Sequence, residues 1–119
     1  MNLVRVSDVS LGQVISSDDD GIGPALVEAM TSGTERQLQL RDIDSGERLE
    51  KIQRFRADQL VMVHDVPLEY HIYTNTTAES VEVHLGPETL TVAPGESVRH
   101  LGRPRPDVFP PDAWSQRPS

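Results

Sequence analysis

Residues 38–63, LQLRDIDSGERLEKIQRFRADQLVMV, hold two strand patterns and the turn between them, and the remaining chain has to fold around that hairpin. Leu38 and Leu40 alternate with Gln37, Gln39 and Arg41, the period-two signature of a half-buried strand. Asp44-Ser45-Gly46-Glu47 supplies the turn, with Asp44 able to bond the backbone ahead of it and Gly46 able to take positive φ. The return segment carries Leu49, Ile52 and Phe55, which do not share one parity, so a bulge or cover on both faces is expected. A helix from Gly46 to Arg56 competes with that reading, because ERLEKIQRFR is rich in helix formers. Leu60 to Val63 are apolar on both parities, which predicts cover on two sides and a seam between an N-terminal and a C-terminal sheet.

The flanking segments extend the β pattern. Leu3, Val4 and Val6 form one short strand, and Val14 and Ile15 begin a second. Pro24 could open a helix running to Met30, but a strand through Leu26 is preferred, since a helix of one or two turns is marginal. Downstream, Leu68, Tyr70, Ile72 and Thr74 share one parity, as do Val81, Val83 and Leu85. Joining these apolar faces in a hairpin sets Ile72 opposite Val83 and Tyr70 opposite Leu85. Gly86-Pro87-Glu88 then turns the chain into Leu90 and Val92. Ala93-Pro94-Gly95-Glu96 has Pro and Gly where a type II turn requires them, ahead of Val98 and Leu101. From Arg103, RPRPDVFPPDAWSQRPS holds five of the nine prolines and reads as a disordered tail, ordered only where Phe109 or Trp114 finds a groove.

Composition narrows the function classes. A formal net charge of -8 disfavours direct binding to phosphate backbones or anionic lipid. The absence of cysteine removes disulfides, thiolate catalysis and Cys-ligated zinc. No signal-peptide pattern and no apolar span of about 18 residues is present, so a cytoplasmic protein without membrane association is expected. Only 4% of residues are aromatic, so the core has to come from Val, Leu and Ile.

Few residues suggest chemistry. The hairpin register sets His71 opposite His84 on an outward face, with Glu69, Tyr73 and Glu82 beside them, a pair that could bind a divalent metal. Two solvated histidines on an open sheet face are the plainer explanation. His64 and His100 belong to no recognisable spacing. Asp18-Asp19-Asp20-Gly21 fails the calcium-loop pattern, because with Gly21 at loop position six the twelfth position is Val27 and not a bidentate Glu. No P-loop or G-x-S-x-G elbow occurs, and a non-enzymatic chain with no cofactor is expected. Phe109 and Trp114 are the candidate binding residues of the tail.

LRDIDSGERLEK followed by RFRADQLVMVHDV resembles the N-terminal SH3-like (KOW-type) barrel of bacterial translation elongation factor P. DVSLGQVI and DGIGPALVEAM are similar to the opening strands of that barrel, and the resemblance covers residues 6–66. It implies an all-β fold with an SH3-like barrel over residues 1–65. An antiparallel β-meander over 66–102 would pack against it, and 103–119 would form the Pro-rich tail. The family presents a lysine on a Gly-rich loop; here the matching loop is TSGTER, with no lysine, so that family's activity is not expected to carry over. What the resemblance leaves is a non-enzymatic binding or adaptor module that recognises a protein partner and itself docks on a larger, translation-related assembly. The Val/Thr-rich second half, with its Pro-Gly turn, also has the cadence of phage β-sandwich modules. Self-assembly as a decoration or connector component of a virion is the alternative.

Overall fold

Alternating apolar residues in this chain are converted into antiparallel β structure throughout. The computed structural model describes Asn2 to Ser119, so Met1, the first residue of the expected barrel, lies outside the described residues. Among the described residues there is no α-helix; two single turns of 3-10 helix occur, at Val6–Asp8 and Asp18–Asp20. The chain resolves into two compact units, one of residues 2–42 with Arg48–Pro67, the other of Ile43–Glu47 with Leu68–Ser119.

In the first unit the strands are β1 (Asn2–Arg5), β2 (Val14–Ser17), β3 (Ile22–Met30), β4 (Glu35–Asp42), β5 (Gln53–Arg56) and β6 (Leu60–His64). They form one antiparallel sheet in the order β1-β6-β2-β3-β4-β5. The outer strands β1 and β5 do not pair with each other, so the sheet does not close into a hydrogen-bonded barrel. Bulges between Ile15 and Ser17 and between Val27 and Ala29 bend the middle strands. One face collects Val6, Val9, Ile15, Ile22, Ala25, Val27, Leu38, Leu40, Phe55 and Val61 into a core, all nearly inaccessible.

Neither ambiguous segment is helical: the first is strand β3, and the second is a loop that ends in strand β5. Ala25 and Val27 turn inward on β3 while Pro24 stays exposed, a period of two that a helix could not provide. The parity conflict in the return strand has a local cause. Leu49 donates its N–H to Leu40 O, whereas Leu38 pairs with Gln53, so two steps along β4 are matched by four on the returning chain. Residues 50–52 loop out and carry Ile52, 57% exposed, away from the core, leaving Leu49 and Phe55 on the inward parity. The expectation of cover on both faces of Leu60 to Val63 is corrected too. Val61 is fully buried, but Leu60 is 52% exposed, so β6 has a core face and an open one.

The second unit contains β7 (Tyr70–Asn75), β8 (Val81–Leu85), β9 (Glu88–Val92), β10 (Ser97–Leu101) and β11 (Trp114–Pro118). The expected hairpin between β7 and β8 does not form. β7 pairs with β10 and β11, and β8 pairs with β9 alone. The face of β7 is also inverted: His71, Tyr73 and Asn75 are buried while Tyr70, Ile72 and Thr74 are only partly covered. Hydrogen bonding makes that inversion possible. The Asn75 amide donates to Glu79 O (2.8 Å) and Val92 O (3.0 Å) and accepts from Thr77 N (2.9 Å) and Thr77 Oγ1 (2.7 Å). An amide so satisfied can be buried at little net cost, whereas an unpaired one would lose about 1–3 kcal/mol. The Pro94-Gly95 turn forms as its sequence requires, with Gly95 at φ 78 and Glu96 N donating to Ala93 O.

In place of the expected disordered tail, residues 103–119 build part of this unit. Phe109 stacks on Tyr73 with ring centroids 4.0 Å apart and 7° between planes, and meets Trp114 edge-on at 5.1 Å. Phe109 and Trp114 are 2% and 4% exposed and join Tyr73, Val83 and Val92 in the core. The prolines punctuate turns, with Phe109 N bonding back to Arg105 O and Trp114 N to Pro110 O. Arg105 anchors the segment. Its backbone N–H donates to the Tyr73 hydroxyl (3.0 Å), and its guanidinium reaches Asp107, Glu47 and the Ser45 carbonyl.

Candidate functional site

The open face of the first unit is set by the register of three strands. Leu3 on β1 lies opposite Met62 on β6, and Met62 opposite Ser16 on β2, so these side chains form one row across the sheet. Two residues along β6 in either direction, Leu60 and His64 share that face, because Val61 and Val63 take the core parity. The result is a hollow of about 380 Å³ with Leu3, Leu60 and Met62 as apolar wall and Ser16 and His64 as polar floor. That size falls within the range of about 300–1,000 Å³ typical of ligand sites.

One rim is acidic. The 3-10 turn at Asp18–Asp20 follows directly on β2, and Asp20 pins it: Ser17 Oγ donates to Asp20 Oδ2 at 2.6 Å and Gln59 Nε2 at 2.9 Å. Asp18 and Asp19 remain as lining residues of the hollow. Within it, Ser16 Oγ and His64 Nε2 are 2.6 Å apart. In the Nδ1–H tautomer the serine hydroxyl donates to the imidazole.

The residues singled out by sequence lie elsewhere, in the second unit. His71 and His84 are not opposite each other: His71 pairs with His100 across β10, and His84 with Thr89 across β9. His71 is buried, its Nδ1 bonded to Gly102 O at 3.0 Å and its Nε2 3.4 Å from Glu69 Oε1. The His84 side chain is 69% exposed, with Nε2 3.1 Å from Glu82 Oε1. Among the described residues no group of three or more His, Asp or Glu side chains is placed to hold a metal ion. Phe109 and Trp114 are brought together, but as core rings and not as an outward-facing pair. The same tail holds an ion pair that biases both partners. Arg105 donates to Asp107 and holds that carboxyl below the ordinary carboxylate range, while the guanidinium is held further into its charged form.

The hollow itself escaped the sequence reading because its parts are far apart in the chain; Ser16 and His64 are separated by 48 positions. A partial signal existed in LVMVH, whose alternation already sets Leu60, Met62 and His64 apart from Val61 and Val63.

No protein-family model, no curated protein and no solved structure matches this chain. The fold and the hollow therefore define it: an all-β chain of antiparallel sheets, with an open, apolar-walled and acid-rimmed depression on one sheet face. No helix among the described residues is long and apolar enough to cross a membrane.

Proposed function

We propose that this chain is a protein-binding module that docks on a larger assembly through the hollow of its first unit. The observation that carries the reading is the row of apolar side chains on an outward sheet face, with Leu3 59% and Leu60 52% exposed beside Met62. Large apolar groups gathered at one open site mark interaction surfaces. The acidic rim at Asp18 and Asp19 selects for a partner that presents an apolar side chain flanked by Arg or Lys. We read the first unit as SH3-like, a reading supported by its six short antiparallel strands around one core and by the resemblance of residues 6–66 to the elongation-factor barrel. The link between β3 and β4, Thr31 to Thr34, carries no lysine, so the role proposed is docking and not that family's assistance to peptide-bond formation.

A second reading, self-assembly into a virion-type shell, draws on β1. Among the described residues this strand pairs with β6 alone, and an edge strand offers unpaired backbone groups to another chain.

Sedimentation of extracts containing the wild-type chain and a Leu3→Asp/Leu60→Asp variant tests the docking reading. Each lost leucine contact is worth about 1.5–3 kcal/mol if fully buried, so the double variant should bind at least about 100-fold more weakly and move from the heavy fractions to the free ones. Wild-type protein found only free, or a variant that stays in the heavy fractions, removes the proposal. Symmetric multimers formed by the purified chain alone select the second reading.

A further inference from the structure

The Ser16–His64 pair has the geometry of a nucleophile and its base. The two groups sit on neighbouring antiparallel strands, β2 and β6, on the same face and on a diagonal, His64 lying two residues along β6 from Met62, which is directly opposite Ser16, so two rigid elements hold them and no loop has to order. Their 2.6 Å separation is within the reach of about 2.6–3.2 Å that proton transfer requires. Both open into the hollow, where Leu3, Leu60 and Met62 provide a wall for an aliphatic chain and Asp18 and Asp19 disfavour an anionic one.

We propose that Ser16 is a nucleophile activated by His64, accepting an acyl group from an activated ester with a short aliphatic acyl chain. Ser16 Oγ attacks the carbonyl carbon and its proton passes to His64 Nε2. The tetrahedral adduct collapses, the bond to the leaving oxygen breaks, and that oxygen departs with the electron pair. The proton on Nε2 goes to a basic leaving oxygen, or to solvent water when the leaving group departs as a stable anion such as p-nitrophenolate, so that the imidazole is neutral again. Ser16 is left as an ester. Water, deprotonated by the same imidazole, then attacks this ester, releases the carboxylic acid and restores the hydroxyl. The inference does not depend on the docking reading, because acylation is read on the purified chain alone.

The test is incubation of the full chain with p-nitrophenyl butyrate, with p-nitrophenolate release followed in the visible and the adduct located by peptide mass mapping. The expected result is one butyryl group on Ser16, none there in Ser16→Ala, and acylation slowed by about 10²–10⁴-fold in His64→Gln, the usual contribution of a general base. Circular dichroism of both variants checks that the sheet persists. Absence of both an adduct and p-nitrophenolate release above the spontaneous rate on the wild-type chain overturns the inference without reference to any variant. An adduct on a different residue, or an unchanged rate in a folded His64→Gln variant, overturns it equally.

Discussion

Phe109→Ala measures whether the C-terminal segment is part of the core. The ring is 2% exposed, lies parallel to Tyr73 at 4.0 Å, and is edge-on to Trp114 at 5.1 Å, so its removal leaves a cavity bounded by rings fixed on different segments. Deleting a buried Phe side chain costs about 3–5 kcal/mol, and a stacked pair adds about 0.5–1.5 kcal/mol beyond area burial. Whole-domain stabilities are about 5–15 kcal/mol, so this one change should remove about a quarter or more of what holds the second unit together. Trp114 is the single tryptophan of the chain and sits in that same core, which makes its fluorescence a local probe of unfolding in urea. At a slope of about 1–2 kcal/mol/M, the midpoint should fall by roughly 2 M or more. A fall equivalent to less than about 1 kcal/mol would refute the reasoning, since that is the range of a substitution on a mobile or exposed segment.

Two glycines with similar backbone angles should respond very differently to alanine. At Gly46 (φ 75) an added Cβ would collide with Leu101 O and the His100 ring, whereas at Gly95 (φ 78) it would meet nothing. Gly95→Ala should therefore cost only the left-handed strain of about 1–2 kcal/mol, and Gly46→Ala clearly more, as thermal unfolding of the two variants would show. Asp107 should contribute to the acid limb of stability. Because Arg105 hydrogen-bonds this carboxyl and lowers its pKa, its stabilisation is complete above the unfolded value of about 3.9 and is lost as the pH falls through the lower folded value. Asp107→Asn should thus be less stable than wild type near neutrality and converge with it in strong acid, by a small margin, since the Asp107 side chain is 62% exposed. A gap that persists or widens in strong acid contradicts the assignment.

Local chemistry was legible where it acts over a few residues. Pro94-Gly95 and Asp44 to Glu47 turn where their residues require, and the Leu38/Leu40 and Val83/Leu85 alternations each name the buried side correctly. The β7 strand shows where that reading stops. Counting apolar residues assigned the core to Tyr70 and Ile72, but the structure buries Tyr73 against Phe109 and satisfies every hydrogen-bonding position of the Asn75 amide. Neither partner is near in sequence, so neither could weigh in a window of a few residues. The proline count of the tail was equally misleading, because Pro110 and its neighbours form turns that return Phe109 and Trp114 to the core.

By itself, then, the sequence determined an extended chain, its turns, and for most strands which residues share a face, since period-two alternation and turn geometry are local properties. Tertiary structure decided which face of β7 goes inward, that β7 takes β10 and β11 as partners, and that Ser16 meets His64 across 48 positions. Those choices depend on strand pairing and on the satisfaction of buried polar groups by distant residues, and no local pattern encodes either.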